Sequence, residues 1–180
     1  MSTSDTSTWP EDLIEKYPLT FRLLRDFCCG EGWRGLLTDL CDLIEPIIAA
    51  MPDDDHRAAA IQVKEKFGGL RFYMYGSTPE IDAAISVAEA RAEKTCERCG
   101  APGVLSSDSP HGWVSVKCST CRAARREAKR AECLERAASY RGTAEQLAAQ
   151  GLEDDAARAR EKADFWEQEA AALLSIANLG

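Results

Sequence analysis

The chain has 180 residues, an apolar share of 45% and a net charge of −8. That suffices for one or two small domains and argues against a surface that coats nucleic acid indiscriminately. No apolar run approaches the roughly 18 residues of a membrane span, and the polar, acidic opening is no secretory leader. The expectation is a soluble cytoplasmic protein with a disordered lead over residues 1–12.

Charge is uneven along the chain: residues 1–60 carry net −7, 61–141 net +4 and 142–180 net −5. A basic middle therefore lies between acidic ends. It is either an anion-binding surface or a pattern that holds the parts of the fold together.

From Leu13 to Phe27 the residues are largely apolar, broken at Pro18. Phe21, Leu24 and Phe27 recur at helical spacing, which predicts a helix from about Leu19 or Thr20. The segment CCGEGWRG comes next. Gly30, Gly32 and Gly35 satisfy G-x-G-x-x-G, but a dinucleotide fingerprint needs a preceding strand and a βαβ unit. With a helix-like segment before it, and Glu31 where a pyrophosphate would sit, the glycines read as a turn between helices. Trp33, Leu36, Leu37, Leu40, Cys41, Ile44, Ile47 and Ile48 then form one wide apolar face of a helix, bent or ended near Pro46. Asp53–Asp55 is a solvated turn, and His56 beside it a surface histidine.

In IQVKEKFGGLRFYMYG two alternating runs flank Gly68-Gly69, the pattern of a two-residue β-hairpin. Phe67 opposite Leu70 would pair Lys66 with Arg71, Glu65 with Phe72, Lys64 with Tyr73 and Val63 with Met74. One face then carries Ile61, Val63, Phe67, Leu70, Phe72 and Met74, and the other Lys64, Lys66, Arg71, Tyr73 and Tyr75. Cations interleaved with aromatics can stack on a base and neutralise a phosphate, so this second face is the candidate site for a nucleotide or small anion. The alternative is that solvent or the acidic N-terminal helices cover it.

Ser77-Thr78-Pro79 starts a helix with Pro79 in its first turn, running to about Lys94 on a stripe of Ile81, Ala84, Ile85, Ala88 and Ala92. It delivers the chain to two Cys-x-x-Cys pairs, Cys96/Cys99 and Cys118/Cys121, with 18 residues between the pairs. That spacing fits a tetrahedral four-cysteine zinc site, with Gly100 and Gly103 supplying permissive backbone. Segments near Val104 and Val114 read as the strands of a zinc ribbon around the polar loop SSDSPH. His111 in that loop is not needed as a ligand. A closed four-thiolate site is structural, with no open position for substrate. Cys28, Cys29, Cys41 and Cys133 read as buried free thiols.

Beyond the second pair, residues 120–150 and 152–177 read as two alanine-rich helices broken at Gly151. They form an antiparallel αα-hairpin, with Ala124, Ala128, Ala131, Leu134, Ala138 and Leu147 on the inner face of the first. The hairpin is a candidate surface for a partner or for self-association. Arg122, Arg125, Arg126, Lys129 and Arg130 at its start could track a phosphate backbone, or be solvated or paired with the acidic second helix.

CCGEGW, KEKFGGLRFY, CERCGAPG and the Gly112-Trp113 step together resemble a family of small, uncharacterised proteins carried by bacteriophages and prophages. The likeness spans residues 28–121 and is most specific in FGGLRFY. Members often close with one cysteine and a nearby histidine where this chain has Cys118 and Cys121. The resemblance implies a phage or prophage setting in a bacterial cytoplasm, without an established activity.

The expected architecture is α+β: a helical and β-hairpin domain over 13–94, a zinc ribbon over 95–121 and an αα-hairpin over 122–180. The expected role is a non-catalytic, zinc-stabilised protein binding a host or phage partner, in counter-defence or host takeover. A nucleotide-signal sponge and a nucleic-acid-binding zinc ribbon are the alternatives. Two histidines, no P-loop and no Cys–His or Ser–His spacing weigh against catalysis.

Overall fold

The computed structural model describes residues 9–107 and 113–175. The chain forms two compact units, Met1–Cys121 and Arg122–Gly180, and mixes helices with two small sheets. None of the described helices is long and apolar enough to cross a membrane.

The first unit opens with helix α1, Trp9–Lys16, whose Trp9 and Leu13 are buried. Order therefore begins inside the stretch expected to be a disordered lead, because Trp9 packs edge-on against Phe27 at 5.1 Å between ring centroids; residues 1–8 of that lead lie outside the described residues. The helix expected from Leu19 to Phe27 is absent. The carboxylate of Glu45 accepts the N–H groups of Leu19 and Thr20 and the Thr20 hydroxyl, holding this stretch as a turn. The chain then extends into strand β1, Asp26–Cys28.

Strand β1 gives the glycine segment a new setting. After a short 3₁₀ turn, Glu31–Trp33, helix α2 runs Arg34–Ala49 with Pro46 inside it, and leads to strand β2, Ala59–Lys66. β1 pairs parallel to β2, so the glycine segment sits in a small βαβ unit rather than between two helices.

β2 pairs antiparallel with strand β3, Gly69–Tyr75, to complete a sheet of order β1-β2-β3. The hairpin register differs from the expected one: Lys66 pairs with Gly69, Glu65 with Leu70, Lys64 with Arg71 and Val63 with Phe72. The turn is Phe67-Gly68, at φ 53° and 80°. Positive φ at both central positions matches the right-handed strand twist, and it moves Phe67 off the apolar face to the exposed tip. Shifting the turn by one position moves each cross-strand partner by two, so Val63, Leu70, Phe72 and Met74 keep their face and Lys64, Lys66, Arg71, Tyr73 and Tyr75 theirs. Ile61, expected on the apolar face, is instead the extra residue of a β-bulge between Ala60 and Gln62 and is not part of the core.

Helix α3, Pro79–Ala92, is capped by the Thr78 hydroxyl, which accepts from the Ile81 N–H at 3.4 Å. α1, α2 and α3 contribute Leu13, Leu37, Ile44, Ile48, Ile81 and Ile85, and the 3₁₀ turn Trp33, to one core with Val63, Leu70 and Phe72. That core covers only one face of the sheet.

Strands β4, Val104–Ser107, and β5, Val114–Lys117, pair as an antiparallel ribbon. Part of the SSDSPH loop, with His111, lies outside the described residues. Helix α4, Ser119–Ala149, starts between the two cysteines of the second pair, and helix α5 spans Glu153–Ser175. In the second unit Cys133, Ala137 and Ala144 of α4 and Ala156, Ala159, Ala163 and Ala170 of α5 are buried. Arg141 pairs with Asp164 and Glu167. The inner face of α4 is thus rotated from the expected one, and Leu134 and Ala138 are exposed. Alanine lies on every side of this helix, so its periodicity could not choose a face.

Candidate functional site

The four knuckle cysteines converge. The Sγ atoms of Cys96, Cys99, Cys118 and Cys121 all lie within 4.8 Å of one another and can hold a metal ion. A tetrahedral thiolate site with metal–sulfur bonds of about 2.3 Å has sulfurs about 3.8 Å apart. Cys99 and Cys118 stand at 3.6 Å and no pair of the four exceeds 4.8 Å, so the cluster is close to the spacing such an ion requires.

The backbone is arranged for the same purpose. The Gly100 N–H closes the first knuckle onto the Cys96 carbonyl at 2.8 Å, and the Cys121 N–H donates to Cys118 Sγ at 3.4 Å. Burial works to raise the Cys96 thiol, but the N–H groups of Cys118, Cys99 and Arg98 outweigh it and bring it down to about 7. The N–H of Cys121 likewise lowers Cys118. Cys121 moves the other way, to about 12, pushed first by the Cys99 thiol and then by burial. Four thiols this close cannot all ionise alone; a bound cation removes the conflict.

Sequence reasoning missed how this centre is anchored. The Gly30 N–H donates to Glu97 Oε1 at 2.9 Å and the Gly32 N–H to the Glu97 carbonyl at 2.8 Å. The Trp33 indole N–H donates to the Thr95 carbonyl at 3.0 Å. A Cβ on Gly32 would stand 2.2 Å from the Cys96 carbonyl oxygen and 2.6 Å from the Cys99 nitrogen. The glycines of the βαβ loop therefore receive the knuckle, with the Gly30 N–H on the Glu97 carboxylate and the Gly32 N–H on its carbonyl. The available signal was the pairing of G-x-G-W with an acidic residue between Cys96 and Cys99.

A second anchor lies at the hairpin tip. Glu65 accepts the Gly68 N–H through Oε1 at 2.5 Å and the Trp113 indole N–H through Oε2 at 3.1 Å. Leu105 of the ribbon fills the space above Gly68, where a Cβ would meet it at 2.1 Å. The ribbon and the domain expected over 13–94 thus pack as one unit.

The sheet face away from the core is open. Lys66, Tyr73 and Tyr75 are exposed, the tyrosines at 41% and 43%, and Lys64 and Arg71 are half-buried. Lys64 Nζ stands 5.6 Å from the Tyr73 ring centroid. Lys64 lies between Cys28 and Arg71 in the strand register, and Gln62 between Asp26 and Tyr73. Cys28 is exposed rather than buried, because it pairs with Lys64 on this face while its neighbour Phe27 turns to the core. Cys29, Cys41 and Cys133 are partly or fully buried, and burial raises the Cys29 and Cys41 thiols far above the ordinary range.

The basic stripe of α4 is partly neutralised within its own helix. Lys129 pairs with Glu132 and Arg130 with Glu127; Arg122 Nε is buried without a hydrogen-bond partner. Arg125 is exposed and Arg126 half-buried. Beside the first knuckle a cleft of about 600 Å³ is lined by Arg34, Arg91, Arg98, Glu31 and Asp39. Arg91 is bound to Asp39 at 2.8 Å and Arg34 to Asp12 at 3.0 Å, which neutralises two of the cleft's three arginines. His56 is exposed in a loop. Compared with family models, with curated proteins and with solved structures, the chain finds no match in any of the three.

Proposed function

We propose that this is a non-catalytic binding protein, stabilised by a structural zinc ion at Cys96, Cys99, Cys118 and Cys121, whose working surface is the open face of the three-stranded sheet. The observation that carries the reading is the contrast between the two places. The knuckle offers four thiolates to one ion and is pinned on both sides by Glu97 and Glu65. The sheet offers Lys64, Lys66, Arg71, Tyr73 and Tyr75 to solvent. Closed tetrahedral thiolate sites serve as structure, whereas cations beside exposed rings suit a ligand with a planar base and a phosphate.

Tetrahedral four-sulfur coordination favours zinc, with an iron–sulfur centre as the competing use of such ligands. In the phage or prophage setting that the resemblance implies, a surface of this kind would capture a host or phage partner carrying nucleotide chemistry, in counter-defence or host takeover. The helical hairpin is less suited as the main docking face. Its exposed Phe165 and Leu174 are about two and a half turns apart, on opposite sides of α5.

Metal analysis of the purified protein tests the first half of the reading. One zinc per chain, lost together with thermal stability on chelation, is the expected result. A folded protein with neither zinc nor another metal would refute it.

A further inference from the structure

We infer that the open sheet face binds single-stranded nucleic acid, with Tyr73 and Tyr75 each stacking on one of two successive bases and Lys64, Lys66 and Arg71 contacting the backbone. This rests on the reading of that face as the working surface and names its ligand.

Tyr73 and Tyr75 are two residues apart on one strand, so their side chains leave the same face about 6.8 Å apart. Stacked nucleotides repeat at about 3.4 Å along a strand. Two neighbouring bases can therefore each take a ring only if they are unstacked from one another, which a flexible single strand permits and a duplex forbids. Both rings are more than two-fifths exposed, and β3 is an edge strand, so a ligand reaches them from the side as well as from above.

Further along β3 the face changes character. Arg71 lies beside Lys64 in the register, and Lys66 lies opposite Gly69, over which the Arg71 guanidinium folds: a Cβ there would stand 3.0 Å from Arg71 Nη1. No carboxylate forms a salt bridge with Lys64, Lys66 or Arg71 among the described residues, in contrast to Lys129 and Arg130 of α4. Arg71 instead donates to its neighbour's carbonyl, that of Leu70, at 2.7 Å. The acidic member of the face, Asp26, accepts from Gln62 at 3.0 Å in the row of Tyr73. Two rings followed by three cations make a strip with a stacking end and a phosphate end. A lone mononucleotide would fill only part of it. The net charge of −8 confines the attraction to this strip and disfavours general coating of a duplex.

The test is fluorescence anisotropy with the full-length, metal-loaded protein. The probe is a labelled ten-nucleotide oligothymidine, set against a blunt duplex of equal length and against unlabelled mononucleotides as competitors. Binding of the single strand with weak or no binding of the duplex is expected. Tyr73→Ala and Tyr75→Ala should each weaken it by roughly 5- to 150-fold, the range of one base–aromatic stack, while Tyr73→Phe retains it. Lys64→Ala and Arg71→Ala should each lower the salt slope by about 0.7, the value for one phosphate on a single strand. Metal content and helical circular dichroism confirm that each variant is folded.

Equal affinity for the duplex, unchanged binding in both tyrosine variants, or displacement by a mononucleotide as effective as by the strand would overturn the inference. So would loss of binding in Arg126→Glu/Lys129→Glu with the tyrosine variants unaffected, which would move the site to α4. A protein that carries its zinc and binds no oligonucleotide would remove this inference and leave the structural role of the metal standing; a folded protein without metal would do the reverse.

Discussion

Gly30 and Glu97 stand 67 positions apart in the chain and are joined by a hydrogen bond of 2.9 Å from the Gly30 N–H to the Glu97 carboxylate. Burial raises this carboxyl above the usual range, partly offset by the Gly30 N–H. This bond makes the metal knuckle part of the βαβ unit rather than an appendage.

A methyl group at Gly32 tests that union. Gly32→Ala puts a Cβ against backbone atoms of both Cys96 and Cys99, and overpacking of this kind costs about 1–3 kcal/mol. Thermal unfolding should fall and zinc should be lost at lower chelator concentration. Gly35→Ala is the matched control: its Cβ meets nothing within 4 Å, and inside α2 the exchange should be neutral or stabilise by up to about 1 kcal/mol.

Metal removal should loosen specific contacts before it unfolds the core. The Trp33 indole is bonded to the Thr95 carbonyl and that of Trp113 to Glu65, so chelation is expected to change tryptophan emission while most helical circular dichroism persists. Re-addition of zinc should restore the emission. A spectrum indifferent to the metal would show that the knuckle and the glycine loop are not coupled.

Glu65→Ala removes the acceptor of both the Gly68 and the Trp113 N–H groups. Loss of charge-assisted hydrogen bonds of this type costs about 1–3 kcal/mol. Denaturant unfolding should register it, with Glu65→Gln losing less because one amide oxygen can still accept.

The stability of the first unit should depend on acid through Asp42. The Tyr17 hydroxyl donates to Asp42 Oδ1 at 2.5 Å, and this bond, helped by Lys16, holds the carboxyl below the usual carboxylate range. A carboxyl lowered by folding stabilises above its unfolded value, and that contribution disappears as the pH falls through the folded one. The stability gap between the wild type and Tyr17→Phe should therefore be constant from neutrality down to about pH 4 and narrow below it. A gap of equal size at pH 2 and pH 7 would exclude this linkage.

In the helical hairpin, Ala137→Leu and Ala138→Leu are neighbouring exchanges with opposite expectations. Ala137 is 2% exposed and Ala138 faces solvent. The first should destabilise by about 1–3 kcal/mol and the second by a few tenths at most, measured as the helical melting transition.

The sequence made some of this legible and hid the rest for identifiable reasons. Cysteine spacing located the four-thiol cluster that can hold a metal ion because coordination geometry leaves few alternatives. Thr78 and Pro79 marked the start of α3 because capping and proline placement are local matters. The faces of the hairpin could be read even with the wrong turn, since a period of two survives a slip of two. The stretch from Leu19 to Phe27 could not, because its conformation is decided by the Glu45 carboxylate, far along the chain. The role of Gly30 and Gly32 was hidden for the same reason: their partners belong to the knuckle, and nothing in the glycine spacing names them.

The distance between Gly30 and Glu97 also sets an order of events during synthesis. At about 5–20 residues per second, a gap of 67 residues corresponds to roughly 3–13 s on the ribosome. Through that interval Glu97, which the amides of Gly30 and Gly32 bond in the folded unit, has not been made, and for most of it neither has Thr95, whose carbonyl takes the Trp33 indole. The second cysteine pair emerges later still, so the ion can be gripped by four sulfurs only once nearly all of the first unit has been made. On the proposed zinc reading, capture of the ion is then the closing step of that unit's assembly, and a nascent chain short of Cys121 is one whose amino-terminal loop is still waiting for its lock.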